Sequence, residues 1–167
     1  KSLWPLLKGE EVEGWRKEFL AVTTGSAPVI GCLQLALRTE RYKLIHTPKG
    51  QGENRSAVAY LNQHNAHFIA GSTPEEIEES TGKVREAYRT YLTPPEFEFY
   101  DLEKDPFEFV NLVEDKASLE IFEEFKGRLH ERLKNVGDPF AKVENVEAWI
   151  SQESEGRKID YRKEKSW

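Results

Sequence analysis

Leu33, Leu35 and Leu37 alternate with Gln34, Ala36 and Arg38 in a two-residue period, which predicts a strand with one buried face. Arg38-Thr39-Glu40-Arg41 then reads as a tight turn into Tyr42-Lys-Leu-Ile-His46, an antiparallel partner. Phe97 and Phe99 alternate with Glu96 and Glu98 and predict a further half-buried strand. Phe19-Leu-Ala-Val22 is apolar, with charges before it and Thr23-Thr24-Gly25 after it, and is expected to be a buried strand followed by a loop from Thr23 to Ile30.

A three- and four-residue rhythm replaces this alternation in two places. Thr73-Pro74-Glu75-Glu76 supplies an N-cap, a proline at the first helical position and a capping-box glutamate. Ile77, Thr81, Val84, Tyr88 and Tyr91 then predict one continuous helix, stopped by Thr93-Pro94-Pro95. A second helix is predicted from Ser118 to Asn135, with Leu119, Phe122, Phe125, Leu129 and Leu133 on one face and Gly137 and Pro139 ending it. Asp105-Pro106-x-Glu108 carries the same start signals as Thr73 and predicts a helix start directly after the Phe97 strand. Val146, Trp149 and Ile150 allow a short helix before a charged end.

The expected architecture is α+β: a small antiparallel sheet of about four strands packed against the C-terminal amphipathic helix. A helical insertion, residues 47–95, precedes the last strand and is expected at an edge or side of the sheet. Phe19, Leu35, Leu37, Tyr42, Leu44, Phe97, Phe99, Phe122, Phe125, Leu129 and Leu133 form the expected core. Residues 1–14 read as a connector, 15–140 as the folded unit and 141–167 as a charged tail.

The 167 residues suffice for one modest core. A net charge of −6 argues against general attraction to nucleic acid or anionic lipid. No apolar run approaches the ~20 residues of a membrane span. The single cysteine, Cys32, has no internal disulfide partner. The chain starts at Lys1 and contains no methionine, so it is expected to be a piece of something longer.

Candidate chemistry is sparse. His64-Asn-Ala-His67 spaces two imidazoles for one metal ion, but no third ligand stands at motif spacing, and polar loop histidines are the simpler reading. Glu75, Glu76, Glu78 and Glu79 are what the dipole of a helix start favours, rather than paired catalytic carboxylates. Cys32 lies in an apolar strand without an adjacent histidine and reads as a small buried side chain. His46 and His130 read as solvated or locally bonded histidines. Asn54-Arg-Ser56 fits a glycosylation triplet, a pattern short enough to recur by chance. There is no phosphate-binding glycine loop, no Gly-x-Ser-x-Gly elbow and no zinc-finger spacing, so the residues alone describe a domain without a self-contained active site.

Four segments, in order, resemble the C-terminal subdomain of the type I, formylglycine-dependent sulfatases. They are Ser2-Leu-x-Pro-Leu-Leu7, Arg38-Thr39-x-Arg41-Tyr42-Lys43, Tyr100-Asp101-Leu102-x-x-Asp105-Pro106-x-Glu108-x-x-Asn111-Leu112, and Gly137-Asp138-Pro139-Phe140. Each is short; their order carries the resemblance, which covers residues 1 to about 140. The long insertion and the closing Asp-Pro-Phe look most like the sulfamidase branch, the N-sulfoglucosamine sulfohydrolases or heparan N-sulfatases.

In that family a cysteine in a Cys-x-Pro-Ser-Arg motif matures to formylglycine, whose hydrate attacks sulfur beside a bound calcium ion. Cys32 is followed by Leu-Gln-Leu-Ala, so neither nucleophile nor metal site transfers to this chain. The resemblance implies that formylglycine and calcium belong to a separate N-terminal catalytic domain, the expected partner, and that the chain is inactive alone. It further implies sulfated saccharide as the substrate of the whole enzyme, and an exported (periplasmic or extracellular) or lysosomal location. By the same analogy Thr23 and Thr24, with Arg55, His64, Asn65 and His67 of the insertion, are the residues expected to face substrate, since donors and cations suit an anionic sugar. The competing reading is a free-standing binding or interaction module that uses the same architecture without a catalytic half.

Overall fold

The structure, a computed structural model, describes residues 2–26, 29–62 and 72–154. In chain order it contains α1 (Trp4–Leu7), β1 (Glu18–Ser26), β2 (Val29–Thr39), β3 (Tyr42–His46), α2 (Arg55–Asn62), α3 (Pro74–Glu79), α4 (Gly82–Leu92), β4 (Phe97–Asp101), α5 (Leu119–Asn135) and α6 (Val143–Ser154), with a 3-10 turn at Pro139–Ala141. The strands form one antiparallel sheet in the order β1-β2-β3-β4, as the alternation predicts. No helix among the described residues is long and apolar enough to cross a membrane.

Register decides which side chains meet. Leu20 pairs with Leu37 and Val22 with Leu35, while Leu37 faces Leu44 and Leu44 faces Phe99 on the other side, so one face of the sheet is apolar across all four strands. Helix α5 lies on that face and buries Phe122, Phe125, Leu129 and Leu133 against Leu33, Leu35, Leu37, Leu44 and Phe99. Phe99 is the centre of an aromatic cluster, stacked on Tyr42 at 5.5 Å and met at an angle by Phe125 at 5.4 Å. At the start of β1, Glu18 accepts from Arg128 at 2.7 Å and lies 2.8 Å from Arg132 Nε, tying α5 to the edge strand. Val146 and Trp149 of α6 pack at the margin of the same core, with Trp149 edge-on to Phe140.

Four expectations need correction. Phe19 is 56% exposed, because it pairs with Arg38 on the opposite face; Leu20 takes the inward position. The expected loop from Thr23 is instead a continuation of β1 to Ser26, with an irregularity between Thr23 and Gly25, and β2 resumes at Val29. The helix expected from Thr73 to Tyr91 is two helices. Its capping box forms as predicted, but Ser80 and Thr81 adopt extended backbone, and Arg85 occupies the carbonyls of Glu78 and Ser80 at 2.7 Å each. Of the edge or side expected for the insertion, the structure has the side: α2 packs on β2 and β1, and α4 lies over the second face of the sheet, where its residues share a cavity with Gln34, Ile45, Glu98 and Tyr100.

The fourth correction is at Asp105-Pro106, where no helix starts. Glu108 has a φ of +59° and turns toward Lys43, 2.6 Å from its Nζ, instead of folding back onto a cap. The Asp105 carboxylate accepts from Val110 N–H at 2.7 Å. Asn111 then extends the sheet with its side chain, accepting from Phe99 N–H at 2.9 Å and donating to the Phe97 carbonyl at 3.1 Å. Gln51 does the same for β2, accepting from Leu33 N–H at 2.6 Å and donating to the Leu33 carbonyl at 2.9 Å. Two amides thus satisfy strand groups that a further strand would otherwise pair.

Candidate functional site

Two segments of the family-like pattern, some sixty residues apart, meet in one corner. Arg41 forks onto Asp101, with Nη2 2.9 Å from Oδ2 and Nε 3.2 Å from Oδ1. The partially exposed guanidinium holds the Asp101 carboxyl below its ordinary range, and its own pKa is raised by the same bond. Leu102 N–H donates to the Arg41 carbonyl at 2.6 Å, and Thr39 closes the hairpin by bonding both the N–H and the carbonyl of Tyr42. Lys43 and Glu108 complete the corner on the second face. These residues fasten the β2–β3 hairpin to the chain leaving β4.

Beside that corner, a cavity of about 400 Å³ opens between the second face and α4, lined by Glu86, Tyr91, Glu98, Tyr100, Glu108 and neighbours. Glu98 is only 7% exposed, and Tyr100 donates to it at 2.6 Å. Burial pushes the Glu98 carboxyl up despite that bond and the nearby Lys43, and burial followed by the bond to Glu98 pushes the Tyr100 phenol up. Sequence reading did not single out this group. Its signal is the β4 alternation taken one residue out of phase, which puts Glu98 and Tyr100 on the face of Lys43, the register partner of Tyr100. A second groove of about 400 Å³ runs between α5, α6 and the far end of the sheet, floored by Leu35, Phe97, Leu129 and Leu133 and rimmed by His46 and Lys126.

The residues expected to face substrate are distributed as follows. Thr23 is exposed near the end of β1, where its hydroxyl accepts from Gly25 N–H at 3.3 Å, and Thr24 follows it half-buried. Arg55 is exposed at the first position of α2, which Asn54 caps by accepting from Ala57 N–H at 3.2 Å. Because α2 packs on β1 and β2, the Arg55 helix and the Thr23 strand are neighbours. His64, Asn65 and His67 lie outside the described residues.

Among the described residues no three His, Cys, Asp or Glu side chains gather closely enough to hold a metal ion. Cys32 is buried and its thiol is pushed up to about 11 by burial and then by Glu98, which keeps it protonated and unreactive. His46 stacks on Phe97 at 4.5 Å, and burial lowers its pKa.

No protein-family model and no curated protein sequence matches the chain. Among solved structures, a candidate sulfatase from Bacteroides thetaiotaomicron matches at a TM-score of 0.51 and 19% identity, covering 84% of this chain and 21% of that one. A 2-O GAG sulfatase matches with the same score, identity and coverage. The chain thus spans about a fifth of the length of the solved chains it matches. At this identity the likeness is one of fold: a four-stranded antiparallel sheet with its helices, as found in the C-terminal part of those sulfatases.

Proposed function

We propose that the chain is the C-terminal subdomain of a type I sulfatase acting on sulfated carbohydrate, packing on the catalytic domain and shaping its substrate cleft. The observation that carries this reading is the corner itself. Arg41, Lys43, Asp101, Glu108 and Asn111 are residues of the family-like pattern, and each makes an architectural bond there. A pattern whose members fasten two distant segments together fits inheritance of a subdomain, and the solved sulfatases share its fold.

The chemistry of the whole enzyme is assigned to the preceding domain: a formylglycine from Cys-x-Pro-Ser-Arg and a calcium ion to balance sulfate charge. The role left to this chain is selective. Thr23, Thr24 and Arg55, with His64, Asn65 and His67, form the proposed wall toward the sugar, offering donors and cations to an anionic ligand. The long insertion and Gly137-Asp138-Pro139-Phe140 favour the sulfamidase branch, with N-sulfoglucosamine as substrate, and with it an exported or lysosomal site of action.

The coding sequence upstream of Lys1 tests the reading, together with the intact mass of the natural product. The expected result is a catalytic domain carrying Cys-x-Pro-Ser-Arg, with the mass signature of formylglycine. An open reading frame that lacks any such domain would leave the free-standing module as the better reading.

A further inference from the structure

The cavity under α4 has no part in the proposed wall toward substrate, and its chemistry is of another kind. Helix α4 roofs it with two pairs, Glu86 with Thr90 and Ala87 with Tyr91, each four residues apart and so on one face of the helix. Ala87 contributes only a methyl group to that roof. The floor is the second face of the sheet, with Gln34 of β2, Ile45 of β3, and Glu98 and Tyr100 of β4. Glu108 and Phe109, from the turn after β4, add to the wall.

Among the described residues that line this cavity, Glu86, Glu98 and Glu108 are acidic and none is a lysine, arginine or histidine. Two of the three glutamates have cations of their own. Glu108 meets Lys43 at 2.6 Å, and Glu86 meets Arg89 at 3.2 Å on the exposed side of α4. Glu98 is different: it is more than nine-tenths buried, and its cross-strand neighbour is the apolar Ile45. Among the described residues its side chain has one hydrogen bond, which Tyr100 donates to Oε2 at 2.6 Å, and this leaves Oε1 without a donor beside a space that can hold one. A buried carboxylate short of a cation is costly, and burial pushes Glu98 up even with Lys43 nearby. At the rim, Tyr91 and Phe109 are 43% and 37% exposed. Aromatic rings offer a negative face to a cation and an apolar surface to the body that carries it.

We propose that this cavity binds a small organic cation, a primary ammonium group on a short apolar body, with the ammonium donating to Glu98 Oε1 and the body against Tyr91 and Phe109. The ligand supplies the positive charge that the lining lacks. At about 400 Å³ the cavity has the size of a small-molecule pocket. Its three glutamates repel sulfate and sulfated sugars, so it is no part of the wall proposed above. A bare metal ion finds no cage there, because among the described residues no three His, Cys, Asp or Glu side chains gather closely enough to hold one. The site is independent of the sulfatase reading.

Benzylamine is the probe, and benzyl alcohol is its uncharged counterpart of nearly equal shape. Both are titrated by calorimetry at neutral pH into the natural product that contains this chain, in its unaltered form and as three variants. Glu98→Gln keeps an acceptor for the Tyr100 hydroxyl and removes the charge. Glu86→Gln and Tyr91→Ala change exposed positions, so they test the site even where Glu98→Gln fails to fold. Benzylamine should bind roughly tenfold or more tighter than benzyl alcohol, and Glu98→Gln should remove most of that difference. Glu86→Gln should weaken the amine a few-fold and leave the alcohol unchanged, whereas Tyr91→Ala should weaken both probes. Equal affinity for the two probes, no binding of benzylamine, or benzylamine binding untouched by the substitutions overturns the site. None of these outcomes bears on whether the parent is a sulfatase.

Discussion

Leu119 and Leu129 belong to the same apolar stripe by helical period, yet the structure gives them different environments. Leu129 is 4% exposed within the sheet–helix core, whereas Leu119 is 51% exposed at the first turn of α5. Leu129→Ala should therefore lose both the transfer energy of its buried carbons and the contacts around the cavity left behind, about 3 kcal/mol within the usual 2 to 5. Leu119→Ala gives up at most half of the roughly 1.5 to 3 kcal/mol that full burial is worth, and alanine returns a few tenths through helix propensity. Its cost should stay below about 1 kcal/mol. At about 2 to 4 °C per kcal/mol for a chain of this size, Leu129→Ala should lower the melting temperature by roughly 6 to 12 °C and Leu119→Ala by no more than about 4 °C. Urea titrations should give the same ranking with unchanged m-values, which marks a change in stability and not in the compactness of either state. Equal losses for the two variants would refute the orientation of α5 on the sheet.

Three further predictions probe separate features. Asn111→Ala leaves the Phe99 N–H and the Phe97 carbonyl without their side-chain partner and should cost about 1 to 3 kcal/mol in urea unfolding, while Asn111→Asp, which keeps only the acceptor, should fall between the two. His46 has a pKa lowered by burial, partly offset by Glu96 and reinforced by Lys126, so the folded chain binds its proton less readily than the unfolded chain does. Stability should thus be lost as pH falls from about 7 toward 5, and His46→Phe, which can keep the stack on Phe97, should flatten that limb of the stability curve. Cys32, buried and pushed up to about 11, should react with iodoacetamide near pH 8 far more slowly than a free thiol and should become reactive on unfolding in urea; rapid labelling of the native chain would contradict its burial.

The parts of the fold that were legible in the sequence are those whose signal is local and one-sided. Leu33, Leu35 and Leu37 alternate with polar neighbours, and that pattern alone specifies the inner face of β2. The spacing of Phe122, Phe125, Leu129 and Leu133 does the same for α5. Phe19-Leu-Ala-Val22 was ambiguous because it is apolar on both faces, so the register against Leu35 and Leu37, and not periodicity, makes Phe19 point outward. Asp105-Pro106-x-Glu108 has every local mark of a helix start, but Lys43, sixty-five residues earlier, captures Glu108 and the turn never propagates. Contacts that depend on such distant partners, including those of the Gln51 and Asn111 amides, have no signature along the chain, whereas the Glu98–Tyr100 pair follows from the β4 alternation taken one residue out of phase. Thr23 and Arg55, proposed to face substrate, sit on the neighbouring elements β1 and α2, a placement that linear spacing does not foretell.

The central proposal is that this chain serves a sulfatase without performing its chemistry. Sulfate release should be measured on an aryl sulfate and on N-sulfoglucosamine, in calcium-containing buffer, with this chain and with the longer natural product side by side. The account predicts turnover only by the longer product. Turnover by this chain alone would contradict it.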